Sequence, residues 1–188
     1  MRYLIAALFL ATALQADAND ADAVFRVRTA TAMATAFAVD KSHVVTCFHV
    51  VKGETEITVE TRADHWAKCA VERTDEDDDL ALLKVAEAVH DTLGISGDES
   101  GRADAYGSPN GVAIKHFDVV INSEMGKGLS EKIDFGCSGG PIVQSHKVIG
   151  VQQGIMCVKD KTGTIVFKLG MFAYVKGDVV RKFLERGK

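Results

Sequence analysis

Three residues in this chain have the types and settings that acyl transfer needs: a hydroxyl nucleophile, an imidazole base and a carboxylate to orient the base. Ser138 stands in "FGCSGGPIVQ", Phe135 to Gln144. If that stretch is a tight turn, the backbone N–H groups of Gly136 and Ser138 converge on one point and form an oxyanion hole from main chain alone. Glycine at 136 tolerates the unusual backbone this requires, and Pro141 fixes φ where an apolar run begins. The competing reading of the same residues is a plain glycine turn between two strands. His49 lies in "VVTCFHVVKG". A strand runs into it and a turn signal follows, and a strand end is a rigid mount for a general base. His43, His65, His90, His116 and His146 sit in polar or turn-like contexts. Asp79 is the last acid of "DEDDD" before the apolar "LALLKV". It can face inward while Asp75, Glu76, Asp77 and Asp78 stay in solvent.

The elements that must position these groups read mostly as strands. Period-two patterns and short apolar runs mark Val24 to Ala30, Ala34 to Asp40, His43 to Cys47, Thr55 to Arg62, Ala67 to Arg73 and Leu80 to Val85. A second set follows in "ADAYG", "GVAIKHFDVVIN", "GPIVQ", "KVIGVQQGI", "TIVFKLG" and "MFAYV". The loop-like "GISGDESGR", Gly94 to Arg102, divides the two sets. Only the tail is helical: Val179, Val180, Phe183 and Leu184 recur at 3.6 spacing within 177–186. Many short strands with one closing helix predict an all-β protein. A two-barrel arrangement would divide near residues 94–102. It would put His49 and Asp79 on the first lobe and Ser138 on the second, with the site in the cleft between.

Composition narrows the partners. With 188 residues and 47% apolar side chains, one large domain can bury a core. A net charge of −4 gives no electrostatic reason for a nucleic-acid partner. The start, "MRYLIAALFLATALQADA", has a positive n-region, an apolar run too short to span a bilayer comfortably, and a small-x-small site. It reads as a secretory signal, residues 1–18, cleaved after Ala18. The rest is expected to be exported, periplasmic or secreted, with no membrane association after cleavage. In that setting Cys47, Cys69, Cys137 and Cys157 are free to form disulfides, and four cysteines allow three pairings. A Cys137–Cys157 bond across the hairpin after Ser138 is one option, and buried free thiols are another. No pair has C-x-x-C spacing, so neither a zinc site nor a thioredoxin-type centre is indicated.

Taken together, the order His49, Asp79, Ser138 is that of chymotrypsin-type enzymes, and the chain resembles a trypsin-like serine protease. It is most similar to the compact bacterial HtrA (Deg) branch. The likeness rests on "ATAFAVDKSHVVTCFHVVKG", "CAVERTDEDDDLALLKV", "AYGSPNG", "DFGCSGGPIVQSHKVIGVQQG" and "GMFAYVKGDVVRKFLERG", and spans about residues 24 to 186. It implies two six-stranded antiparallel β-barrels within a single protease domain, 19–188. The N-terminal barrel would occupy about 19–95, the C-terminal barrel about 103–175, and the closing helix 177–186.

The resemblance also implies roles. His49 is the general base, Asp79 its orienting acid, Ser138 the nucleophile, and Gly136 and Ser138 the oxyanion donors. Gln153, Gly154 and Ile155 match the strand edge that pairs with substrate backbone, while Ile133, with Lys132 beside it, falls near the opposite wall of the first specificity pocket. Ile133 and Gly154 suggest a small or aliphatic residue before the cut. Substrates are polypeptides, and no metal or cofactor is required. Cys137 departs from the family: digestive enzymes have aspartate there and HtrA-like ones often asparagine. Activation by a freed N-terminal amine is therefore not expected. No PDZ domain is expected, and with only Phe25 as an N-terminal aromatic a monomer is favoured. Two other functions remain open: a protease fold that binds peptides without turnover, and a cysteine nucleophile at Cys137.

Overall fold

The computed structural model describes residues 19–97 and 100–186. The expected signal segment, residues 1–18, lies outside the described residues. The first lobe holds β1 (Val24–Arg28), β2 (Met33–Ala38), β3 (His43–Thr46), the one-turn helix α1 (Phe48–Val51), β4 (Ile57–Arg62), β5 (His65–Asp75) and β6 (Leu80–Val85). The second holds β7 (Gly94–Ile95), β8 (Gly101–Gly107), β9 (Lys115–Asn122), β10 (Lys127–Leu129), β11 (Pro141–Gln144), β12 (Lys147–Lys159), β13 (Ile165–Lys176) and the closing helix α2 (Gly177–Glu185).

Each lobe is a closed antiparallel barrel of six strands. The first runs β1-β2-β3-β6-β5-β4 and closes β4 onto β1. The second runs β11-β8-β9-β10-β13-β12 and closes through β11–β12, with the short β7 added in parallel to β12. Alternation explains the strands: along β9, Phe117, Val119 and Ile121 are buried while their neighbours are exposed. β2 is different, because Ala34 to Ala38 are all buried. One of its faces fills the first barrel and the other meets the second lobe. The first core continues across the lobe boundary through Tyr106, Val143, Val148 and Val151, and reaches Val180 and Phe183 of α2. The lobes therefore share a core.

Several sequence expectations are adjusted. His49 sits on α1, not at a strand end, because the chain turns out of β3 at Cys47. "TIVFKLG" and "MFAYV" form one strand, with Gly170 inside it at a φ of +64°. Residues 111–114 form no strand, since a 3-10 turn at Pro109–Gly111 delays β9. Within the loop-like divider, Gly94–Ile95 forms a strand. The disulfide expectation is also corrected: all four cysteines are free. Cys137 is buried in the second core, whereas Cys157 is on the half-exposed part of β12 that extends past the barrel.

An ion pair ties the first barrel to the turn after β8. Arg26 Nε lies 2.5 Å from Glu60 Oε2 and its Nη2 2.6 Å from Oε1, while its Nη1 donates to the carbonyls of Gly111 and Val112 at 3.0 Å each. The two side chains are 19% and 14% exposed. The Arg26 hydrogen bonds hold the Glu60 carboxyl below its ordinary value, outweighing the opposing effect of burial. A lowered carboxylate stabilises the fold above the ordinary glutamate range, and that stability is lost as pH falls through the folded value. Glu60→Gln is therefore expected to cost about 1–3 kcal/mol at pH 7, measured by urea unfolding. The deficit should shrink by pH 3; an equal deficit at both pH values would contradict the assignment.

Candidate active site

The site is assembled from α1 and two turns. Asp79 ends the turn between β5 and β6 in the left-handed region, with φ of +53°. Its backbone carbonyl accepts the Phe48 N–H at 3.1 Å, which docks α1 on the turn. Its carboxylate accepts the His49 N–H at 2.9 Å, and His49 Nδ1 lies 2.8 Å from Oδ2 and 3.1 Å from Oδ1. A carboxylate at Nδ1 fixes the proton there and leaves Nε2 as the free base. Burial pushes the Asp79 carboxyl up, but the bonds from the His49 ring, the His49 N–H and Gln153 outweigh it and hold its pKa below the usual value. The acid is thus ionised at neutral pH. Of the other acids in the run, Asp75 is not solvated: its side chain is 11% exposed and pairs with Arg186 beyond α2.

Ser138 lies in the second of two successive tight turns. Cys137 N–H bonds to Asp134 O at 3.1 Å, and Gly140 N–H bonds to Cys137 O at 2.9 Å. Each turn has a glycine at positive φ in its third position, Gly136 at +92° and Gly139 at +85°. Both are crowded as well. A Cβ on Gly136 would sit 2.3 Å from the Ser108 carbonyl oxygen, and one on Gly139 would sit 2.1 Å from that of Thr35. Among the described residues, neither the Gly136 N–H nor the Ser138 N–H has a hydrogen-bond acceptor. Two undonated N–H groups around a serine are what an oxyanion hole offers. The Ser138 hydroxyl itself donates to Gln153 O at 2.7 Å.

His49, Ser138, Gln153, Gly154 and Ile155 share one cavity of about 360 Å³, with the exposed Phe135 at its rim. Gln153 also reaches Asp79 Oδ2 with its side-chain amide, at 3.5 Å. Past Val151, the Gln152 N–H donates to Gly140 O and the Gln152 carbonyl accepts the Gly139 N–H, and beyond it, among the described residues, no strand pairs with β12 on its β11 side. Ile133 is not in this cavity. It is 4% exposed within the second core and faces a neighbouring cavity of about 320 Å³, which it shares with Ile155. Cys137 also points into that core, where burial pushes its thiol up to about 11. A protonated, enclosed thiol is a poor nucleophile, which counts against the cysteine reading.

Two side-chain groups have metal-like spacing, Cys47–His49–Asp79 and Asp104–His116–Asp118, each with ligand atoms within 4.8 Å of one another. In the first, burial and the Asp79 charge push the Cys47 thiol far above its ordinary value, and its Sγ donates to Gln152 O at 3.2 Å. The other two members of this group, His49 Nδ1 and Asp79 Oδ2, are engaged with each other at 2.8 Å. The second is a cross-strand cluster, with His116 Nε2 2.6 Å from Asp104 Oδ1, on the outer surface of β8 and β9.

Thr35 has no place in the sequence reading. It is wholly buried and bonded to the Ser138 turn. A hydroxyl in the middle of an otherwise apolar strand was the available signal.

A two-barrel fold with this cleft defines a chymotrypsin-type architecture. The family model for the trypsin-like peptidase domain matches residues 34–151, and the chain belongs to that family. No curated protein matches it. Among solved structures, the inactive form of the Rv3671c protease, a protein from M. tuberculosis, aligns with a TM-score of 0.72 at 21% identity, over 90% of this chain and 91% of that one. The serine endoprotease from Yersinia pestis aligns at 0.70 and 18%, over 89% and 63%. The HtrA-type protease AlgW with a tripeptide aligns at 0.70 and 20%, over 89% and 62%. The chain thus spans less than two thirds of the last two.

Proposed function

We propose that this chain is an exported serine endopeptidase whose triad is Ser138, His49 and Asp79. The observation that carries the reading is the His49 Nδ1–Asp79 bond of 2.8 Å on the same cavity as Ser138. A polypeptide lies in extended form along the open edge of β12 and pairs with Gln153 to Ile155. Its own N–H takes the Gln153 carbonyl, which releases the Ser138 hydroxyl toward His49 Nε2. Ser138 Oγ then attacks the scissile carbonyl carbon while Nε2 takes the hydroxyl proton. The Gly136 and Ser138 N–H groups receive the oxyanion. His49 passes the proton to the leaving amine nitrogen, the C–N bond breaks, and an acyl ester remains on Ser138. Water attacks that ester with His49 again as base, which releases the acid and restores the serine. Asp79 holds the ring and stabilises the imidazolium in both halves.

The test is digestion of a reduced, alkylated protein substrate. The wild type should cut it, and Ser138→Ala should leave it intact. Binding without cleavage by the wild type would favour a silent peptide-binding module. The export half is separate: the secreted chain should begin at Asn19, and a mature product that retains residues 1–18 would refute it.

A further inference from the structure

We propose that Thr35 is the positioning residue that keeps the oxyanion hole formed, an inference that rests on the endopeptidase reading. Four consecutive carbonyls of the nucleophile turn are each held by one donor. Phe135 O accepts the Asn110 N–H at 2.7 Å, Cys137 O the Gly140 N–H at 2.9 Å, and Ser138 O the Thr35 N–H at 2.9 Å. Gly136 O accepts the Thr35 hydroxyl at 2.7 Å. A trans peptide is planar, with its N–H opposed to its C=O. Fixing Phe135 O therefore sets the direction of the Gly136 N–H, and fixing Cys137 O sets that of Ser138. The Gly136–Cys137 peptide joins these two planes: its N–H is tied within the turn to Asp134 O at 3.1 Å, and its carbonyl is held from outside the turn by the Thr35 hydroxyl.

The direction of that hydroxyl is itself determined. Thr35 Oγ1 accepts the Ser108 N–H at 2.9 Å, so its single hydrogen goes to Gly136 O. Ser108 opens the turn whose Asn110 N–H holds Phe135 O, so Thr35 supports the hole from two sides. Behind it, the Thr35 carbonyl accepts the Thr46 hydroxyl at 2.7 Å, at the end of the strand leading to His49. Thr35, Thr46 and Ser108 are wholly buried, at 0% exposure, and the bond to Gly136 O is partly buried. Buried hydrogen bonds without competing water are the ones that hold geometry. Cys137, apolar and enclosed, contributes no charged anchor to the turn. The first barrel restrains the turn through Thr35 of β2, whose N–H holds Ser138 O and whose hydroxyl holds Gly136 O.

The experiment compares Thr35→Val, which keeps the shape and deletes the hydroxyl, with Thr35→Ser, which keeps the hydroxyl. For peptide hydrolysis, Thr35→Val should lower kcat by about 10- to 100-fold with KM within about twofold, a part of the loss expected for a missing oxyanion donor. Affinity for a peptidyl boronate should fall in parallel, while affinity for the product peptide should not. Thr35→Ser should stay within about threefold of wild type. A folded Thr35→Val with wild-type kcat overturns the proposal, as does a folded Thr35→Ser with kcat down more than tenfold. Serine retains a hydroxyl and supplies the test if the valine variant does not fold. Hydrogen exchange across residues 133–141 reads the clamp without any turnover: protection should be lost in Thr35→Val and kept in Thr35→Ser, and unchanged exchange in Thr35→Val overturns the clamp. A wild type that protects this turn and cleaves nothing would sink the endopeptidase reading and leave the clamp standing.

Discussion

Asp79→Asn is expected to lower kcat for peptide hydrolysis by about 10⁴-fold with little change in fold or KM. The site makes this a clean substitution. Asp79 has φ of +53°, a region that asparagine occupies readily, so the backbone of the turn is kept. The amide oxygen of asparagine can still accept the His49 N–H, now 2.9 Å from Oδ1. The amide nitrogen then faces His49 Nδ1 as a donor. Nδ1 must accept, and the ring proton moves to Nε2, which can no longer take the proton of Ser138. The chemistry fails through the wrong tautomer while the shape is preserved. Initial rates with a peptide substrate check it, alongside a melting curve. A fall of less than about tenfold would mean that Asp79 does not orient the base.

Gly136→Ala should cost about 10²–10³-fold in kcat, the usual loss for one oxyanion donor. The added Cβ would lie 2.3 Å from Ser108 O, 3.0 Å from Gly111 N and 3.1 Å from Asn110 N, all backbone atoms of the neighbouring turn. None of them is the movable end of a side chain, so the nucleophile turn must shift. The residue must also hold φ of +92° with a side chain. Strain of this kind costs on the order of 1–3 kcal/mol, which should appear as a lowered melting temperature. Peptide affinity, measured in the Ser138→Ala background, should change far less than kcat, because the β12 edge is untouched. A Gly136→Ala enzyme with wild-type kcat would remove Gly136 from the hole.

The fold was legible because its strands carry their burial in the pattern, as Phe117, Val119 and Ile121 show. The candidate site was legible for a related reason. His49, Asp79 and Ser138 each stand at a punctuation point, where an apolar run meets a turn. Features without a local pattern were missed. Four residues of α1 are too few to display a helical period, and the two of Gly94–Ile95 too few to alternate. Ile133, expected near the pocket's other wall, is buried in the second core and lines a cavity next to the one that holds Ser138. Thr35 lies about a hundred residues from the Gly136 carbonyl it holds, and no spacing rule links the two. The cysteines show the same limit, since pairing depends on distances in space that separation along the chain does not encode.

The most direct test of Ser138 as an activated nucleophile is reaction of the folded protein with a fluorophosphonate, read by intact mass and peptide mapping. The hydroxyl of Ser138 displaces fluoride at phosphorus, and only a serine served by a base and an oxyanion hole reacts at a useful rate. One phosphonyl adduct, mapped to Ser138, absent from Ser138→Ala and strongly slowed in Asp79→Asn, is the expected result. A folded wild type that stays unmodified, or that carries the adduct on another residue, would contradict it.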